Sequence, residues 1–177
     1  DSITSVIIPD TITTICENAF AGCDYIESFS IGTGLTHVQT SAFESVNIGN
    51  AYIYDIAKWC QITFDWYSSN PLGCAANAYL NGEPLVDLVI PENIDSLPKG
   101  CFAGYKKLES VSFSEPKSMT SSCFVGCGNM KKFYVDSLET WLNSDFGGNY
   151  SALYAGGRGL YIDGELVTDL VIPEGIT

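Results

Sequence analysis

Positive charge is scarce in this 177-residue chain: eight Lys plus Arg stand against 21 Asp plus Glu, a formal net charge of −13. A surface that acidic repels phosphate backbones and anionic lipid, which argues against nucleic acid and against polybasic membrane docking. Histidine is nearly missing, with His37 alone, and the seven cysteines contain no C-x-x-C pair. Zinc-ribbon spacing is therefore absent, and a single histidine with no cysteine pattern beside it argues against Cys/His or Ser/His nucleophile arrangements. No apolar run approaches the roughly 20 residues that cross a bilayer, so no membrane insertion is expected. Neither a G-x-S-x-G elbow nor a phosphate loop is present, since Gly147-Gly148 and Gly156-Gly157 are not followed by G-K-S/T. Acidic residues are scattered, without a D-x-D-x-D run or a carboxylate pair that stands out. No enzyme activity, metal or cofactor is expected. Charged residues make up only 16% against 46% hydrophobic, which suits a chain with a buried core rather than a disordered or long helical one.

What the chain does have is internal repetition. Ile8-Pro9-Asp10 returns as Ile90-Pro91-Glu92 and again as Ile172-Pro173-Glu174, at 82-residue steps. Trp59 matches Trp141 and Gly82 matches Gly164 at the same offset, and residues 79–95 and 161–177 agree at 10 of 17 positions. The expected organisation is one solenoid domain over 1–177, with super-repeats 1–82 and 83–164 and the start of a third at 165–177. The first strand pattern begins at Ile3, with no leader-like segment before it, as expected of a piece of a longer chain.

A finer repeat lies inside each super-repeat. The pattern apolar-x-x-apolar-x-apolar occurs at Ile3/Val6/Ile8, Ile26/Phe29/Ile31, Ile48/Ala51/Ile53, Leu85/Leu88/Ile90, Leu108/Val111/Phe113, Met130/Phe133/Val135 and Val167/Leu170/Ile172. The last two apolar positions alternate, which predicts a short strand with one buried face. Return segments carry apolar-x-x-apolar-x-x-x-x-Phe, ending at Phe20, Phe43 and Phe102, with a degraded copy ending at Phe124. A unit of about 22 residues cannot bury its own apolar face and must stack on its neighbours. The prediction is a right-handed solenoid with one parallel β-sheet of about seven short strands, short helical or irregular returns and two longer helix-plus-hairpin turns.

Asn18-Ala19-Phe20-Ala21-Gly22-Cys23 after Ile-Pro-Asp, with its variants at Lys99–Gly104 and Ser122–Cys127, resembles the BspA-like leucine-rich repeat family. That resemblance covers roughly residues 1–53, 85–135 and 167–177. It implies a leucine-rich repeat solenoid from a secreted or cell-surface protein, associated with adhesion and protein binding rather than with a reaction.

Two turns, 54–84 and 136–166, are about 15 residues longer than the rest. Each opens with a helix signature, a capping box at Asp136-Ser137-Leu138-Glu139 in the second. Each closes with Asn81-Gly82 or Asp163-Gly164, dipeptides suited to a type I′ hairpin. Trp59 and Trp141 have helical apolar neighbours and are expected to be core. Trp66 and Tyr67 have no aromatic counterparts in the second turn, where Gly148 and Asn149 stand, and are candidates for exposed contacts. Asn149-Tyr150-Ser151 matches a glycosylation sequon. The cysteines are expected to be mostly buried free thiols, Cys101 and Cys123 replacing Ala19 and Ala42 and Cys23 and Cys127 taking the slot of Tyr105 as stacked ladder residues, with a Cys101–Cys123 bond as the alternative.

The three x positions of each strand are expected to face outward and to stack into columns. Candidate binding residues there are Glu27, Ser30, Tyr52, Asp87, Glu109, Lys131, Lys132 and Tyr134, joined by Trp66 and Tyr67 on the loop. The expected function is a non-catalytic surface or secreted module binding an extracellular protein or glycan. The alternative is a spacer that presents another domain and has no ligand of its own. End-to-end self-association of the truncated solenoid is also expected, through its open edges.

Overall fold

The computed structural model describes residues 3–120, 122–147 and 157–172. The first three repeats form strands β1 (Ser5–Ile8), β2 (Ile26–Ile31) and β3 (Ile48–Ile53), all parallel. Phe29, Ile31, Ala51 and Ile53 point inward and are buried, as the alternating pattern requires. The fourth strand of this sheet is β4 (Ala75–Leu80), which pairs in parallel with β3 from Ile48↔Ala75 to Ile53↔Leu80. The chain then turns through Asn81 (φ 53°) and Gly82 (φ 89°) into β5 (Glu83–Pro84), which closes the edge in antiparallel fashion. Positive φ at both central residues is the type I′ geometry expected of Asn-Gly.

After a tight bend in which Val86 N–H donates to Pro84 O at 3.0 Å, the arrangement starts again. Strands β6 (Asp87–Val89), β7 (Ser110–Phe113), β8 (Lys132–Val135) and β9 (Gly159–Ile162) are parallel, and β10 (Glu165–Leu166) returns antiparallel. The expectation of one sheet with about seven strands is therefore corrected to two five-stranded sheets. The hairpin that closes each longer turn contributes a full member to each sheet, and its antiparallel return ends that sheet.

A second correction concerns Val167–Ile172. These residues form no strand, and Leu170 and Ile172 are 51% and 56% exposed. Their counterparts Leu88 and Ile90 are 1% and 2% exposed, because β6 is covered by β7 through pairs such as Leu88↔Val111. The described residues provide no such neighbour beyond Val167. Pro173-Glu174, and the sequon at Asn149-Tyr150-Ser151, lie outside the described residues.

The other sides of each coil are made of shorter pieces. Two-residue strands at Thr14–Ile15, His37–Val38 and Thr63–Phe64 form one minor sheet, and Ser96–Leu97 with Ser118–Met119 forms another. Return turns stack through Phe20 N–H to Ala42 O (2.9 Å) and Phe102 N–H to Cys123 O (3.0 Å). That register lays Phe20 on Phe43 (5.2 Å between centroids) and Phe102 on Phe124 (5.7 Å), with Phe29 edge-on to the first pair. Phe29, Phe43, Phe102 and Phe133 are fully buried, each worth about 1.5–3 kcal/mol of burial.

Among the described residues the α-helices are short, α1 (Ile56–Trp59) and α2 (Leu138–Leu142), and 3₁₀ turns cover Tyr67–Ser69 and Pro71–Cys74. Asp55 caps α1 by accepting from Lys58 N–H. In α2 the cap is Ser137, accepting from Thr140 N–H at 3.1 Å, one residue beyond the expected Asp136. Asp55 and Ser137 are 82 residues apart, so the repeat period places the cap better than the isolated capping-box pattern does.

Candidate interaction surface

Pairing register fixes which side chains share the outward face. On the first sheet one row runs Ile7, Ser30, Tyr52, Tyr79, and on the second the matching row runs Val89, Ser112, Tyr134, Tyr161. Each row thus starts at an aliphatic side chain, crosses a serine and ends at two tyrosines. The rings of Tyr52 and Tyr79 stack at 5.2 Å, and those of Tyr134 and Tyr161 lie 4.8 Å apart. Ile7 and Val89 are 74% and 67% exposed, so neither is covered by the chain itself.

Tyr79 and Tyr161 are absent from the candidates read out of the sequence. The signal for them was present. Ala75-x-x-Ala78-x-Leu80 and Gly157-x-x-Leu160-x-Ile162 are the same strand pattern with small residues at its leading positions. Alanine and glycine hide the pattern from a count of large apolar side chains, and the tyrosines sit at its outward position.

The row two residues earlier is polar. On the first sheet it runs Ser5, Ser28, Asn50, Asn77. Asn77 Nδ2 donates to Asn50 Oδ1 at 3.1 Å and to Gly49 O at 3.3 Å, and Lys107 Nζ donates to Asn77 Oδ1 at 2.6 Å. On the second sheet it runs Asp87, Ser110, Lys132, Gly159, with Ser110 Oγ donating to Asp87 Oδ1. Glu27, Asp87, Glu109, Lys131 and Lys132 are exposed, while Ser30, Tyr52 and Tyr134 are half-buried within the face. The first x position is not uniformly outward, however. Gly49 is buried, and a Cβ there would lie 2.7 Å from both Glu27 O and the Tyr25 hydroxyl.

A groove of about 270 Å³ crosses the second sheet beside the tyrosine row. Val89, Ser112 and Tyr134 border it, and Ser114, Asp136 and Asp163 belong to the next outward row. A larger groove of about 540 Å³ lies on the return side, where the stack of turns is interrupted between Phe43 and Ala103. Tyr67 and Cys74 line it, and Gly73 crosses against Gly104 so closely that a Cβ on Gly104 (φ +79°) would sit 2.7 Å from Gly73 Cα.

The two loop aromatics divide between these surroundings. Trp66 is 52% exposed but carries the Lys99 ammonium 4.5 Å from its ring centroid, so one face is already covered by a cation. Tyr67 is 48% exposed on the rim of the larger groove. Neither belongs to the two five-stranded sheets or lines the groove beside the tyrosine row, so the candidate residues fall into two groups.

Trp59 is core, as expected, while Trp141 is half-buried against Phe133 and Phe146. The seven cysteines are free, and no Cys101–Cys123 bond forms. Cys60, Cys101, Cys123 and Cys127 are buried, Cys23 and Cys74 are half-buried, and Cys16 is exposed, so of the expected ladder residues Cys23 alone is not fully enclosed. Burial pushes Cys60 up to about 12, with Asp55 adding to it, and Cys127 to about 11. Such thiols stay protonated and unreactive at neutral pH. His37 Nε2 lies 2.7 Å from Asp65 Oδ1 on a minor sheet, and that contact, with the Thr40 N–H, holds the Asp65 carboxyl below its usual range.

Among the described residues no group of three or more His, Cys, Asp or Glu is placed to hold a metal ion, and no helix is long and apolar enough to cross a membrane. A family model described as BspA type Leucine rich repeat region matches the chain in 6 copies, over residues 1–72 and 67–152. No curated protein and no solved structure matches the chain.

Proposed function

Because the chain belongs to the BspA-type leucine-rich repeat family, we propose that it is a non-catalytic module of a secreted or cell-surface protein. It binds an extracellular protein, or a glycan, through the outward face of its two sheets. The observation that carries this reading is the repeated row Ile7–Ser30–Tyr52–Tyr79 and Val89–Ser112–Tyr134–Tyr161. Two tyrosine pairs at equivalent places give rigid, amphipathic contact area at low entropic cost, the composition that interface hot spots favour. Lys131 and Lys132 beside Tyr134 would set the register of an acidic portion of the partner, and Glu27, Asp87 and Glu109 would reject like charge.

A right-handed coil follows from the general preference of parallel crossover connections. The spacer reading needs no face at all, and two repeated tyrosine pairs speak against it. Arrayed extracellular proteins and glycans probed with the wild-type chain and with a Tyr52→Ala/Tyr79→Ala/Tyr134→Ala/Tyr161→Ala variant separate the two. A ligand lost by the variant supports binding through the face, and the absence of any ligand favours the spacer.

A further inference from the structure

We propose that the smaller groove on the second sheet is an anchor pocket for a cationic side chain, arginine above all, projecting from a protein partner. The inference deepens the binding role above and rests on it. The groove is about 270 Å³, the scale of one large side chain rather than of a drug-sized ligand. Val89 and Tyr134 line it from the aliphatic and tyrosine row, and Asp136 and Asp163 line it from the next outward row. Register brings those two acids together: Val135 pairs with Ile162, so Asp136 and Asp163 are the next residues on adjacent parallel strands. Neither carboxylate makes an ion pair or a hydrogen bond with another described residue.

An occupant therefore meets a hydrocarbon wall and an unneutralised acidic rim at the same time. A neutral apolar side chain would satisfy the wall and leave the rim unused. A carboxylate would be repelled by both acids and by a chain of net charge −13. An arginine matches both, laying its stem on Val89, its planar guanidinium on the Tyr134 ring, and its donors on the carboxylates. Lys132 stands on the opposite side of the Tyr134 row and leaves the acidic side open to a cation. The first sheet shows that this is not a property of the repeat as such. At the equivalent positions, 82 residues earlier, stand Tyr54 and Asn81, without charge. The two tyrosine rows would thus contact the partner alike, and the second alone would choose a basic residue.

The full 177-residue chain, ¹⁵N-labelled, can be titrated with the capped pentapeptide Gly-Ser-Arg-Ser-Gly and with its citrulline counterpart, which keeps the shape and removes the charge. Saturable shifts at Val89, Ser112, Tyr134 and Asp163 are expected with the arginine peptide, and at least tenfold weaker binding with citrulline. Asp136→Asn/Asp163→Asn should abolish that preference while leaving the rest of the spectrum in place, since Asn81 already occupies the matching turn position. Equal response to both peptides at the groove would overturn the choice of a cation and leave the sheet face as a binding surface. No response, or shifts confined to other regions, would overturn the pocket itself, and the array measurement with the four-tyrosine variant would then decide the binding role separately.

Discussion

The indole Nε1 of Trp59 donates to the carbonyl of Cys101 at 2.9 Å, a hydrogen bond that spans the break between the two five-stranded sheets. Asn70 reinforces it from the same loop. Its Nδ2 donates to Gly100 O at 2.6 Å and to Cys101 O at 2.7 Å, and its Oδ1 accepts from Leu72 N–H. All of these groups are buried, so the junction of the super-repeats is held by hydrogen bonds that water cannot replace.

Removing either donor should be costly, and removing both should cost more than the sum. Trp59→Phe leaves Cys101 O one donor and should lose about 1–2 kcal/mol of unfolding free energy. Asn70→Ala removes the acceptor of the buried Leu72 N–H, while Gly100 O keeps the Ala103 N–H, and should lose about 2 kcal/mol. The double variant leaves Cys101 O with no side-chain donor, so the coupling should exceed about 0.5 kcal/mol. Urea unfolding of the four proteins provides the cycle, and strictly additive losses would show that the two side chains do not share the carbonyl.

Core and face should separate cleanly in stability. Phe102→Ala empties a fully buried ring position and should lose about 3–5 kcal/mol, whereas Tyr52→Ala, on the half-buried outward row, should lose about 1 kcal/mol or less. Phe20 is half-buried where Phe102 is fully enclosed, so Phe20→Ala should fall between them. Thermal melts of the three variants suffice; a Tyr52→Ala loss as large as that of Phe102→Ala would make the row structural.

Much of this was legible beforehand. Inward positions such as Phe29, Ile31, Val111 and Phe113 follow from alternation alone, and Asn81-Gly82 announced its hairpin because few dipeptides accept positive φ twice. Strand β4 escaped because Ala75 and Ala78 are small, and with it went Tyr79, whose value lies in stacking on Tyr52. Contacts such as Lys99 over Trp66, or Asn70 to Cys101 O, join residues about 30 apart across an irregular loop. No periodicity encodes them.

Thiol chemistry should follow burial. At neutral pH Ellman's reagent should label Cys16 quickly and Cys23 and Cys74 slowly, and reach Cys60, Cys101, Cys123 and Cys127 only on unfolding. Fast native labelling of all seven would contradict the packing.

Alkaline pH should weaken the fold. A thiol whose native pKa is raised contributes fully below its unfolded value of 9.0, and the contribution is lost as pH rises through the native value. With Cys60 at about 12 and Cys127 at about 11, urea midpoints should fall steadily from pH 9 upward, and less steeply in Cys60→Ala. A flat profile across that range would mean that the thiols are not buried.

The isolated 177-residue polypeptide should self-associate. Leu170, Val171 and Ile172 are exposed, and among the described residues β1 pairs with β2 alone. Sedimentation should reveal reversible association at high concentration that Val171→Lys reduces; strict monomers throughout would contradict it.

The central claim, that the repeated tyrosine rows are the binding surface, is tested most directly by one affinity comparison. A ligand found on the extracellular protein and glycan arrays is titrated against the wild-type chain, the four-tyrosine variant and a Trp66→Ala/Tyr67→Ala control. The account predicts at least a tenfold weaker affinity for the four-tyrosine variant, with the control close to wild type. Undiminished affinity in the four-tyrosine variant, with loss in the control, would contradict it and move the binding surface to the return side.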